Sequence, residues 1–178
     1  MLTFRHMFMN MQSDTFIALQ KTFAPQSTCF GCGPSNPLGL RIDSHGSPNS
    51  PEVFAEWHAS QHHEAFPGML NGGIIGALLD CHSNWTAAYT LFKRQGATDP
   101  TLTIPPCTVT ANFSVSLKRP TPTNSTLYLK AYPTEIKDDR VTVEATLSVK
   151  INGEEKVCAT CTGLFVQVKP GHPAYHRW

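Results

Sequence analysis

From Ile74 to Phe92 apolar residues recur at steps of four and three: Ile74, Leu78, Cys81, Trp85, Ala88 and Phe92. That period lays an apolar stripe along a helix of about five turns. Asn71 stands just ahead of it, where its side-chain oxygen can accept from an unpaired amide of the first turn, so it is the expected N-cap. Beyond Pro100, Pro105 and Pro106 the period falls to two. Val109, Ala111, Phe113, Val115 and Leu117 alternate with Thr108, Thr110, Asn112, Ser114 and Ser116, and Val141 to Ile151 alternates likewise, which predicts strands with one wet face. "STLYLKAYPTEI" lies between them, "KDDR" and "INGEE" supply tight turns, and "EKVCATCTGLFVQV" closes the set as an antiparallel meander. Upstream, "PEVFAEWH" reads as a strand and "SDTFIALQKTF" as a short helix begun by Ser13 and ended by Pro25. The order is therefore strand, long helix, four strands. One amphipathic helix and one half-apolar sheet imply an α+β domain in which the sheet curves around the helix.

The 178 residues suit one core of ordinary size. With 14 basic and 13 acidic residues scattered along the chain, the net charge of +1 gives no footprint for nucleic acid or an anionic membrane surface. No apolar run approaches the roughly 20 residues that span a bilayer, and the opening "MLTFRHMFMNMQ" lacks the continuous apolar stretch of a signal peptide, so a cytoplasmic location is expected. Six cysteines in a chain of this size are expected to be thiols rather than a disulfide framework.

One residue conflicts with its neighbours. "FPGMLNGGIIGALLD" is apolar and glycine-rich until Asp80, and a carboxylate in such company is costly without a partner.

This order of elements, together with "CFGCGPSNPLGL", "FPGMLNGGIIGALLD" and the strand end "VSLKRPTP", resembles the hotdog-fold acyl-CoA thioesterases, in particular the phenylacetyl-CoA thioesterase-like group. The resemblance spans about Cys29 to Val168. It implies a hotdog domain over 29–168, preceded by a helical extension over 1–28 and followed by a tail over 169–178. It also implies hydrolysis of small, medium or aryl acyl-CoA thioesters, with coenzyme A entering as part of the substrate, no separate cofactor, and a homodimer or dimer of dimers. Mapped by motif, the family's site positions are Asn71, Gly72, Gly73, Asp80 and Thr110. Asn71 stands where the family carries His, so a role needing an imidazole at that place has no residue to perform it. Phe66 and Met69, at the head of the same motif, are assigned to substrate binding.

Thioester hydrolysis needs a group that activates water and a donor for the charge that develops on the carbonyl oxygen. Asp80 is expected to be the base or nucleophile, and the Gly72 and Gly73 amides at the helix tip the donors. Eight residues of helix separate Gly72 from Asp80 by about 12 Å, whereas both must come within roughly 3 Å of the reacting group. Two antiparallel copies of the helix, packed on a small-residue face of Gly76, Asp80, Ser83 and Ala87, would bring one chain's tip beside the other's acid. Thr110 can orient water or the acid, Ser83 and Asn84 can line the acyl pocket, and Lys118 and Arg119 can meet the phosphates of coenzyme A. A hotdog dehydratase or hydratase, and a non-catalytic acyl-CoA-binding protein, are the competing expectations.

No metal is assigned. Cys29 and Cys32 lie in a turn where two sulfurs can converge, with His45, His58, His62 or His63 as conceivable partners, but the half-site lacks a definite second half. "HHEAF" does not match the helical H-E-x-x-H pattern. Cys158 and Cys161, three apart on a strand, are expected on opposite faces, and Cys81 on the apolar stripe is expected to be inert packing.

Overall fold

The computed structural model describes residues 16–175. A long helix, α2 (Gly72–Gly96), lies in the curve of a seven-stranded antiparallel sheet. The elements run β1 (Ile17–Ala18), α1 (Leu19–Phe23), β2 (His45–Gly46), β3 (Val53–His58), β4 (Glu64–Phe66), β5 (Met69–Leu70), α2, β6 (Thr108–Leu117), β7 (Thr126–Lys137), β8 (Arg140–Ile151) and β9 (Glu154–Gln167). Sheet order is β1-β2-β3-β7-β8-β9-β6, with β4 and β5 forming a separate hairpin ahead of the helix. Among the described residues no helix is long and apolar enough to cross a membrane.

The expected four-strand meander is only three strands long, because β6 pairs with β9 at the far edge and β3 takes the place beside β7. Tight turns join β7, β8 and β9: Asp138, Asn152 and Gly153 all have positive φ, the backbone that two-residue hairpins require. Between β6 and β7 the chain instead runs through Pro120 and Pro122, with no tight-turn signal to hold the two together.

The helix is more enclosed than its stripe implied. Leu78, Trp85 and Ala88 are buried as expected, but every residue from His82 to Leu91 is buried, while Ile74, Cys81 and Phe92 are only half covered. The sheet takes one side of α2 and the 16–46 segment the other, with Leu19 and Ile42 in the same core cluster. A polar chain pins that second layer. Gln20 Nε2 donates to Ser44 Oγ (3.0 Å), which lies 2.9 Å from His82 Nδ1, and His82 Nε2 sits 3.1 Å from the Val53 carbonyl. A carbonyl only accepts, so the His82 proton is on Nε2 and Nδ1 accepts from Ser44. Burial then pushes His82 down to about 4, with His45 adding to the fall and the Val53 bond opposing it.

The N-terminal helix is shorter than expected: it starts at Leu19, after Ile17 and Ala18 have paired with β2. Its expected cap Ser13 lies outside the described residues.

Candidate active site at the helix tip and the Asp80 cavity

Asn71 caps α2 as its sequence position implied. Its Oδ1 accepts from the Gly73 amide at 2.7 Å, and its own backbone is extended (φ −66°, ψ 135°). The cap occupies the Gly73 donor and Ile75 donates to the Asn71 carbonyl, so among the described residues the tip leaves the Gly72 and Ile74 amides without an intramolecular acceptor, Gly72 being the outermost. Gly72 opens on a groove of about 400 Å³ between the β4–β5 hairpin and the end of β6. Phe66, Met69, Leu117, Lys118 and Arg119 line it, so the residues assigned to substrate binding at these two sequence stretches share one groove. Arg119 is committed in part, because its Nη1 donates to the Val157 carbonyl at 2.7 Å.

Asp80 lies two turns along, on a separate cavity of about 80 Å³ that Thr110, Asn84 and Trp85 also line. Thr110 Oγ1 donates to Asp80 Oδ1 at 2.7 Å. Strict alternation along β6 puts Thr110 on the side opposite Phe113 and Val115, yet all three face the helix. A bulge is the reason. The β6–β9 register slips between Thr110 and Asn112, Ala111 is the extra residue, and the phase of the strand reverses there. Before the bulge Thr108 and Thr110 meet Asn84 and Asp80; after it Phe113 and Val115 pack against the core.

Other assigned residues are placed differently. Asn84 lines the Asp80 cavity, but its Nδ2 donates to the Thr108 carbonyl (3.2 Å) and its Oδ1 accepts from Thr108 Oγ1 (3.0 Å), so it chiefly ties α2 to β6. Ser83 is fully buried with its hydroxyl against the Cys161 thiol, and it does not line the Asp80 cavity. With Ser83 and Ala87 both 0% exposed inside one chain, the small-residue face is available to a second helix only over its Gly72 to Asp80 half. His82, two residues from Asp80, was not singled out in the sequence. It points about 200° around the helix into the polar chain above, so it does not supply the imidazole a dehydratase would pair with the acid.

The cysteines give the largest departure. Cys29, Cys32 and Cys81 bring their sulfurs within 4.8 Å of one another, on the same cavity as Asp80. Cys81 packs against the core as expected and also faces the turn, 3.8 Å from the Cys29 sulfur. None of the four histidines joins; His45 stacks on Phe54, His58 pairs with Thr126, and His62 and His63 lie against each other with their rings tilted. Hydrogen bonds from the Cys32 and Cys81 thiols hold the Cys29 thiol well below its usual range, helped by the Cys32 and Gly31 amides; the other two thiols are pushed up. Cys158 and Cys161 both belong to the core rather than to opposite faces, since a register shift at Leu147 and Ser148 leaves Cys158 as the odd residue in β9.

No family model matches the chain, and no curated protein matches it. Solved structures do. A thioesterase superfamily protein superposes with a TM-score of 0.63 at 22% identity over 79% of this chain, which spans only 61% of that protein's length. A thioesterase superfamily protein from Shewanella loihica PV-4 gives a TM-score of 0.56 at 26% identity, covering 72% of this chain and 91% of the other. An acyl-CoA hydrolase from Staphylococcus aureus, solved with butyryl coenzyme A, coenzyme A and coenzyme A disulfide, gives 0.56 at 18% identity over 71% of each chain. The chain has the hotdog fold that these thioesterase superfamily proteins share.

Proposed function

We propose that the protein hydrolyses acyl-CoA thioesters at a site completed by a second copy of itself. The observation that carries this is the pairing of α2 with β6, which run side by side in opposite directions. Gly72 lies against Leu117, Gly76 near Phe113, and Asp80 on Thr110. β6 is an edge strand, paired with β9 on one side, with Leu117 58% exposed. Edge strands are the natural place for two copies to join. If β6 pairs antiparallel with its copy about a two-fold axis between Phe113 and Ser114, Leu117 stands opposite Thr110 of the other copy. The Gly72 tip of one chain then meets the Asp80 of the other, and the about 12 Å that separates them within one helix no longer matters.

The two half-sites divide the chemistry. The Asp80 cavity, of about 80 Å³, has room for water beside the carboxylate. Asp80, held by Thr110, takes a proton from such a water as it attacks the thioester carbonyl. The Gly72 amide, at the positive end of the helix dipole, donates a hydrogen bond to the developing oxyanion. Coenzyme A leaves as a thiolate, and the apolar groove beside Phe66 and Met69 takes the acyl or aryl group. Lys118 and Arg119 lie at the groove mouth, suited to phosphate. The likeness to a hydrolase solved with butyryl coenzyme A supports this substrate class.

Free-thiol release from a panel of acyl-CoAs tests it. The native protein is expected to turn over at least one member, and Asp80→Asn to lose 10²-fold or more, about the worth of a general base. Equal rates from the two proteins would remove Asp80 from the mechanism.

A further inference from the structure

We infer that Cys29, Cys32 and Cys81 form a three-sulfur site for a soft divalent metal ion of the zinc class, beside the acid and independent of its role in hydrolysis. Sulfurs bound at about 2.3 Å in tetrahedral array lie about 3.8 Å apart, and Cys29 and Cys81 stand 3.8 Å apart. The third sulfur is within 4.8 Å of both.

The surrounding chain is shaped for this convergence. Cys29 and Cys32 have the two-residue spacing of a metal-binding turn, and the turn is closed by the Gly33 amide donating to the Cys29 carbonyl at 2.9 Å. Gly31 sits against the helix where any Cβ would collide with the Cys81 sulfur, so its lack of a side chain lets the turn deliver two thiols to a third. Trp85 Nε1 donates to the Cys32 sulfur at 3.3 Å, the kind of outer hydrogen bond that orients a metal ligand. Thiolates select zinc, cadmium or copper(I) over magnesium or calcium. With three protein ligands the fourth position opens on the cavity that Asp80 and Thr110 line.

The test is spectroscopic, so it is decided apart from thioesterase activity. Full-length protein, stripped of metal and kept reduced without oxygen, is titrated with cobalt(II). The expected result is sulfur-to-cobalt charge transfer in the near ultraviolet with strong tetrahedral bands in the red. It saturates at one ion per chain, is bleached by zinc, and is accompanied by a change in tryptophan fluorescence from Trp85. Cys29→Ser and Cys81→Ser each weaken binding at least tenfold, while Cys107→Ser, a buried thiol elsewhere, leaves it unchanged. Cys29 is exposed, so its variant decides the matter even if the Cys81 variant fails to fold. A weak octahedral spectrum without charge transfer, or thiolate bands that survive in both ligand variants, overturns the inference.

Discussion

At the scale of single residues the protein places ionisable groups in opposite settings along one turn of helix. Asp80 faces a cavity and a hydroxyl donor, whereas His82 faces the interior, where its neutral form alone satisfies Ser44 and Val53. A histidine whose pKa is depressed on folding favours the native state above its unfolded value of 6.5 and loses that advantage as pH falls towards about 4. The gap corresponds to roughly 3 kcal/mol from this one group. Thermal unfolding is accordingly expected to drop between pH 7 and pH 4.5, and His82→Gln to show a shallower drop from a lower starting point. An equal slope in both proteins would assign the acid sensitivity elsewhere. Residues of this kind were only partly legible. Asp80 stood out by its apolar neighbours and Thr110 by family resemblance, but His82 and Cys81 gave no warning, because whether a polar helix residue faces a cavity or another segment depends on chain that arrives from far away in sequence.

At the scale of elements, period was a sound guide. The α2 stripe, β3 and the alternation in β8 predict the observed structure, because a one-sided burial pattern is what a half-covered helix or sheet imposes, while the alternation in β6 holds only on either side of its bulge. The all-round burial of α2 was not legible, since Ser83, Thr86 and Thr90 are polar by type; Thr86 and Thr90 bury their hydroxyls by donating to carbonyls one turn back. The helix start makes a sharp prediction. Asn71→Ala removes the acceptor of the Gly73 amide and should cost about 1 kcal/mol, read as a lower urea midpoint at unchanged slope. Asn71→Asp should keep the cap. If the alanine variant is as stable as the parent, the residue is there for another purpose.

For the whole molecule, the proposed pairing through β6 has an arithmetical signature. Gly72→Pro deletes the tip amide while suiting the first position of a helix, and Asp80→Asn deletes the acid. Each variant alone should be inactive. Mixed dimers contain one site with both groups intact and one with neither, so an equal mixture after subunit exchange should recover about a quarter of native activity. Recovery near zero despite exchange would mean that each chain uses its own tip and its own acid. The proposed route through β6 is not visible in the pattern of apolar positions, which reports what a chain hides within itself. The edge of β6 reads as an ordinary alternating strand until the fold shows which rim of the sheet it occupies.

The extra residue at Ala111 also governs how distant relatives are matched to this chain. Alternation counted back from Phe113 and Val115 would put an odd-numbered side chain beside the carboxylate and push the Thr110 hydroxyl to the outer surface. A homologue that lacks the insertion would keep the same barrel-like wrap yet offer the acid a different neighbour. Transfer of a role along this strand is sound only when the bulge is aligned together with the motif.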